Sequence, residues 1–333
     1  MAVGPRSING RALNPVGLGC MNVSWAYGAP PPPDEAARLL HRALDLGCDH
    51  LDTARIYGAG ENEKLIGETL KGRRSEFFLA SKCGITVDGP KRGVDCSPEA
   101  IASAIETSLE LLQTDHIDLY YMHRFDPKVP VAECVGALAC AVEAGKIGAY
   151  GVSEWSSAHI REAHQVHPMG AVQTEFSLWT RNVELGVLAT CDELGIPLVA
   201  FSPVGRGALC GELREPATLE DSDLRTKMPR FNAENWPHNL ALIDQLAELA
   251  RANGLTPAQL SLRWVLAQSE VCHVIPGTTS MAHLEDNMAS LSLEVSDEVL
   301  AEAGRIVNQQ TVAGHRYHAA ILPTIDTEDF APA

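Results

Sequence analysis

Four ionisable residues, Asp52, Tyr57, Lys82 and His123, are of types that move protons, and each falls where a short apolar run gives way to a loop. A phenol with an ordinary pKa of about 10 is a poor proton donor at neutral pH unless its anion is stabilised. An ammonium such as Lys82 beside Tyr57 supplies that stabilisation, and a carboxylate such as Asp52 keeps the ammonium charged and oriented once both leave water. An imidazole such as His123 can then polarise or orient a substrate oxygen next to the phenol. Brought together, the four make a device for protonating a carbonyl oxygen or deprotonating an alcohol, and by itself it supplies no electrons. Singly, each has a plainer role: a turn cap for Asp52, a half-buried loop aromatic for Tyr57, a solvated strand end for Lys82, a core imidazole for His123. Their joint placement, on three successive strands and the loop after the first of these, favours the chemical reading.

Those strands belong to a longer series. Apolar runs recur at Val16 to Gly19, His50-Leu51, Phe77 to Ala80, Ile117 to Tyr121, Ala149 to Val152, Ala171 to Gln173, Pro197 to Phe201 and Val271 to Ile275, eight candidate strands in all. Between them lie segments of helical period: Asp34 to Leu46, Glu61 to Leu70, Pro98 to Leu112, Val129 to Ala144, Ser156 to His167 and Val183 to Leu194. Pro33-Asp34 and Ser97-Pro98 read as helix starts, and Gly47, Gly145 and Gly195 as helix ends. Short αβ connections fit a parallel sheet with helical crossovers. The expected fold is therefore α/β, a (β/α)8 TIM barrel forming a single domain over residues 1–333, with its chemistry at the mouth formed by the strand C-termini. Pro203 to about His238 reads as a long excursion after the seventh strand, acting as a lid. Met281 to Ser290 and Asp297 to Val307 read as further helices, and Gln309 to Ala333 as a coil folded back over the mouth.

Composition restricts the partners. A formal charge of -17, from 43 acidic and 26 basic residues, disfavours a nucleic-acid or anionic-membrane surface. No run reaches a transmembrane span and Met1 to Arg11 lacks a signal-peptide core, so the chain reads as soluble and cytoplasmic. The nine cysteines show no Cys-x-x-Cys pair or zinc-like spacing and read as reduced thiols. Gly205-x-Gly207-x-x-x-Gly211 is too long for a Rossmann fingerprint and lacks a helix directly after it. His164-x-x-His167 and His315 with His318 lack further metal ligands nearby.

Asp52-Thr53-Ala54-x-x-Tyr57-Gly58, Ser81-Lys82 and Tyr121-Met122-His123 resemble the active-site motifs of the aldo-keto reductases. The resemblance continues through Gly17 to Met21, Glu61-Asn62-Glu63, Gly151 to Glu154, Gln173-x-Glu175-Phe176-Ser177, Phe201 to Gly207 and Ile275 to Thr278, nearly the whole chain. It implies interconversion of a carbonyl and an alcohol with NADPH/NADP+, NADH being the alternative cofactor, and with Tyr57 supplying the proton. By the same resemblance Ser153, Glu154 and Gln173 would hold the carboxamide and Phe176 would stack on the nicotinamide. Ser202, Pro203, Val204, Gly205, Arg206, Gly207 and Leu209 would cross the pyrophosphate. Gly277, Thr278, Thr279, Ser280 and His283 would meet the adenosine phosphate, and Asp286 and Asn287 the adenine.

Three departures from the family pattern stand out. Glu154 replaces an asparagine and can accept but not donate. Phe176 replaces a tyrosine. Gly277 to Asn287 contains no lysine or arginine for a 2'-phosphate, leaving hydroxyls, a helix N-terminus near Met281 and His283. Trp25, Phe125 and Trp236, with Tyr57 and His123, are candidate substrate walls, and together they would suit a bulky aldehyde, ketone or secondary alcohol. A cofactor-bound regulatory or channel-associated subunit with little turnover is the alternative function. Oligomeric state and the direction of reaction are not legible.

Overall fold

Each of the eight apolar runs contributes to a strand: β1 (Leu18–Gly19), β2 (His50–Asp52), β3 (Phe78–Cys83), β4 (Leu119–Met122), β5 (Tyr150–Ser153), β6 (Ala171–Glu175), β7 (Leu198–Phe201) and β8 (Cys272–Ile275). In the computed structural model, which describes residues 3–88 and 91–330, these eight pair in parallel and in chain order. The ring closes where Gly17 N donates to Val274 O (2.8 Å) and Val274 N to Pro15 O (2.8 Å). The fold is a (β/α)8 barrel.

The crossover helices surround it: α1 (Pro33–Asp45), α2 (Glu61–Leu70), α3 (Pro98–Leu111), α4 (Val131–Glu143), α5 (Ser157–Val166) and α6 (Val187–Leu194). Their apolar stripes pack on the outward strand residues Leu79, Tyr120, Val152 and Val172. The inward residues Phe78, Ala80, Tyr121, Ala171 and Val199 fill the barrel instead. Gly151 is required there, because a Cβ at this position would lie 2.5 Å from the Tyr121 ring.

The long excursion after β7 ends at two helices absent from the sequence reading, α7 (Trp236–Ala252) and α8 (Pro257–Leu266). The excursion itself is a chain of 3-10 turns, at Gly205–Cys210, Pro216–Thr218, Leu224–Lys227 and Pro229–Phe231. After β8 come α9 (Met281–Ala289) and α10 (Asp297–Ile306). Two hairpins were also unforeseen. Arg6–Ile8 with Arg11–Leu13 inserts Ile8 and Leu13 into the base of the barrel, and Ile85–Asp88 pairs with Lys91–Val94 beyond β3. Gly89 and Pro90, within the stretch from Gly84 to Cys96 that the sequence offered as a candidate substrate wall, and the last three residues of the C-terminal coil lie outside the described residues.

His50 and His273 are buried, His50 edge-on to Phe78 at 5.6 Å. Burial depresses both imidazoles, His50 to about 4 and His273 to about 3, from an ordinary 6.5. The unfolded chain therefore binds more protons than the folded one between pH 6.5 and about 4, so stability is present above that window and is lost as pH falls through it. Urea midpoints are expected to drop from pH 7 to pH 5 by an amount equivalent to roughly 2 kcal/mol per histidine. The double variant His50→Leu/His273→Leu is expected to flatten that slope, and a slope identical to wild type would remove the pair as its cause.

Candidate active site

The alternation that fills the barrel also turns Asp52, Lys82, Ser153 and Gln173 inward near its mouth. Lys82 is completely buried and its Nζ donates to Asp52 Oδ1, to Thr53 O (2.7 Å) and, at 3.5 Å, to the Tyr57 hydroxyl. Tyr57 reaches this point because the loop after β2 turns back through a 3-10 segment, Tyr57–Gly60, with left-handed backbone at Gly58 (φ 57°) and Ala59 (φ 56°). His123, the residue after β4, stands edge-on to the Tyr57 ring with centroids 5.9 Å apart. All four residues thus meet at one place.

Burial pulls the Lys82 ammonium down, but the Asp52 carboxylate and the Tyr57 oxygen more than offset this and hold it above the ordinary lysine range. Burial also pushes the Tyr57 phenol up, with Lys82 opposing only in part. The phenol therefore carries its proton at neutral pH, the state a proton donor needs.

Gln173, on β6, donates from Nε2 to Asp52 Oδ2 (2.7 Å) across the barrel, so it braces the carboxylate behind the lysine. The buried Ser153 hydroxyl has no hydrogen-bond partner among the described residues. A buried unsatisfied hydroxyl costs about 1–3 kcal/mol, so this one is suited to a polar ligand arriving at the mouth.

Glu154 is committed elsewhere. Its backbone is left-handed (φ 59°), and its carboxylate accepts from Arg316 Nη1 (3.0 Å) and Nη2 (2.8 Å), from Thr327 Oγ1 (2.9 Å) and from Glu175 N (3.0 Å). Burial would raise this carboxyl, but Arg316 holds it below the usual range. With both oxygens occupied, the side chain anchors the C-terminal coil and is not free to accept from a carboxamide. Glu175 does the same on the next strand: its Oε2 accepts from Arg206 Nη2 (3.0 Å), which also donates to the Tyr317 hydroxyl (2.9 Å).

The segment after β7 is tightly folded, with left-handed backbone at Ser202, Gly205, Arg206 and Gly207. Ser202 follows the strand end, Pro203 and Val204 are buried, and the Leu209 side chain is buried among the outer layer residues. The loops after β8 and β1 touch: a Cβ on Gly277 would lie 2.5 Å from Asn22 Oδ1. Thr278 is buried, its hydroxyl accepting from Ser280 N (3.0 Å), while Thr279 is exposed and Ser280 caps α9. His283 is exposed and paired with Glu212 at 3.0 Å. Asn287 is buried, and Asp286 accepts from Thr256 Oγ1 (2.7 Å) and Gln259 Nε2 (2.8 Å), which ties it to the start of α8.

Residues 15–308 match the model of the aldo/keto reductase family. This chain belongs to that family. It is 40% identical over 326 residues to aldo-keto reductase yakc [NADP(+)] of Schizosaccharomyces pombe, covering 95% of each chain. It is 37% identical to aldo-keto reductase str7 of Strobilurus tenacellus, again over 95% of each. Among solved structures it is similar to the glycerol dehydrogenase AKR11B4 of Gluconobacter oxydans, with a TM-score of 0.84, 27% identity and coverage of 100% and 99% of the two chains.

Within this aldo/keto reductase, two aromatic assignments change. Phe176 follows the inward Gln173 and Glu175 by odd spacing from both, so it faces outward and packs edge-on against Trp264 of α8 at 5.5 Å. Phe201, in register with Glu175 at the end of β7, is half-buried and packs on the inner cluster. It is an aromatic at the mouth end of β7 that the sequence reading missed, although alternation along β7 from the inward Val199 would have found it. Trp236 does not line the mouth either: it is 5% exposed, stacked on Phe231 and bonded through Nε1 to Arg214 O (2.9 Å). Phe125 lies half-buried against His159, rings stacked at 4.1 Å, and Trp155. Trp25, 39% exposed and 6.2 Å from the Tyr57 ring, does stand at the mouth. Arg316, Tyr317 and Glu175 complete the site's surroundings; the sequence offered the tail near Tyr317 as a substrate wall and Glu175 as part of a family motif, but gave no sign of Arg316.

Described residues include no helix long and apolar enough to cross a membrane and no group of His, Cys, Asp and Glu able to hold a metal.

Proposed function

We propose that this chain is an NADPH-dependent carbonyl reductase acting on aldehydes or ketones, and on the corresponding alcohols in reverse, with Tyr57 as general acid and base. The observation that carries this reading is the buried Asp52–Lys82 pair bonded to a protonated Tyr57 beside His123. When bound, the nicotinamide supplies the hydride. Tyr57 donates its proton to the carbonyl oxygen, and Lys82 stabilises the phenolate left behind. Asp52, braced by Gln173, keeps Lys82 charged, and His123 orients the substrate oxygen toward the phenol.

The unpartnered Ser153 hydroxyl fits a carboxamide, and Phe201 fits the nicotinamide face, in place of Phe176. Thr278, Thr279 and Ser280 at the start of α9 suit a phosphate. NADPH is preferred over NADH on the name of the fission-yeast relative; the segment itself offers hydroxyls and the α9 N-terminus but no lysine or arginine. Phe201→Ala is expected to raise the Kd for NADPH about tenfold, the worth of one aromatic contact, and Phe176→Ala to leave it nearly unchanged. Fluorescence titration of both variants checks this, and the reverse order would restore Phe176 to the nicotinamide.

The deciding experiment follows NADPH and NADH oxidation in parallel across a panel of aldehydes and ketones. Turnover faster with NADPH and lost in Tyr57→Phe is expected. Tight cofactor binding with no turnover in either direction would overturn the reading in favour of a non-catalytic subunit.

A further inference from the structure

Arg124 follows His123 directly and is half-buried beside the mouth. Among the described residues its guanidinium makes one hydrogen bond, from Nη1 to His123 O at 2.6 Å, and no ion pair. Most of its N–H donors are therefore uncommitted. Its charge is felt by Tyr57, Glu154 and Tyr317, groups on three different segments around the opening.

Most other charges at this end have protein partners, and the buried Arg230 is bonded to Gly314 O (3.1 Å) and Thr180 Oγ1 (2.7 Å). Lys82 is held by Asp52, and Arg206 and Arg316 share Glu175 and Glu154. Asp126, two residues along, turns its oxygens to the backbone N–H groups of Cys96 and Lys128, both at 3.0 Å. A guanidinium at the mouth whose donors are mostly not taken up by protein acceptors is available to an anionic group. The apolar walls that would argue for an uncharged bulky substrate are reduced, since Trp236 is buried against Phe231 and Arg214 O.

We propose that Arg124 sets substrate specificity by binding a carboxylate carried on the aldehyde or ketone, a proposal that rests on the carbonyl reductase reading. A planar guanidinium takes a carboxylate through paired hydrogen bonds. With one end of the substrate fixed beside His123, its carbonyl is held against the Tyr57 hydroxyl, which converts binding into orientation.

The test uses 2-, 3- and 4-carboxybenzaldehyde and their methyl esters with NADPH, on wild type, Arg124→Gln and Arg124→Lys. The wild type is expected to favour at least one acid over its ester about tenfold or more in kcat/KM. That ratio is expected to fall about tenfold in Arg124→Gln, through KM, and to be partly restored in Arg124→Lys. Ratios unchanged by Arg124→Gln for all three isomers overturn the proposal, as does an equal loss in NADPH affinity, which would assign Arg124 to the cofactor. Calorimetric titration of the matching carboxybenzyl alcohols and their esters, with NADP+ present, separates this result from failure of the reductase reading. Acid-selective binding lost in Arg124→Gln upholds the carboxylate site even without turnover, and equal binding of acid and ester sinks it.

Discussion

Tyr57→Phe is expected to lower kcat for carbonyl reduction by a factor of about 10² to 10⁴, the usual contribution of a positioned general acid, while leaving the Kd for NADPH nearly unchanged. The substitution removes one oxygen and keeps the ring that packs against His123 and Trp25. Lys82 keeps Asp52 and Thr53 O as partners, so no buried charge is abandoned. Because the loss falls on the proton donor, kcat and kcat/KM should drop together. A second consequence follows from the direction of the phenol's shift. Reduction needs the protonated form, which is lost as pH rises through a pKa that burial pushes above the ordinary 10. Wild-type reduction should therefore stay level through neutral pH and decline only on the alkaline side. A variant that reduces ketones at near wild-type rates would remove Tyr57 from the mechanism.

The barrel was legible because its strands, covered on both faces, must be continuous apolar runs, and because most crossover helices expose one polar face. α8 was not legible by that means, since nearly all of Ala258 to Leu266 is buried and the helix has no polar stripe to mark its period. Its start did carry a signal, the capping box of Thr256 with Gln259, with Pro257 as the first helical residue. The proton-moving residues were visible because four ionisable types fell on three successive strands and the loop after the first of these. Their supports were not. The Gln173–Asp52 bond joins strands on different sides of the barrel, and the Glu154–Arg316 pair joins residues far apart in the chain. Neither contact has a local pattern, so each became visible only once the barrel set the strand ends in a ring. The same ring corrected Phe176, whose parity along β6 points it at Trp264.

Arg316→Ala is expected to destabilise the fold by about 3–5 kcal/mol, the cost of removing one partner from a buried ion pair. Both charged groups are almost fully buried, with side-chain exposures of 2% and 0%, and Arg316 meets Glu154 through two parallel hydrogen bonds. Without Arg316 the Glu154 carboxylate keeps Thr327 Oγ1 and Glu175 N but no opposing charge in contact. The coil is fastened at its far end too, where Asp326 Oδ2 accepts from Ser156 N (2.7 Å) and Glu328 Oε1 from Ser157 N (2.8 Å) at the start of α5. Carboxylates there are favoured by the helix dipole, so the coil should loosen from its Arg316 end first. Glu154→Gln/Arg316→Met, which removes both charges, should recover much of the loss, because the cost lies in the orphaned carboxylate rather than in the missing attraction. Urea unfolding of the two variants decides between these terms. If Arg316→Ala unfolds within about 1 kcal/mol of wild type, the value of an exposed pair, then Glu154 is not held as a buried charge and its carboxylate becomes available to the cofactor after all.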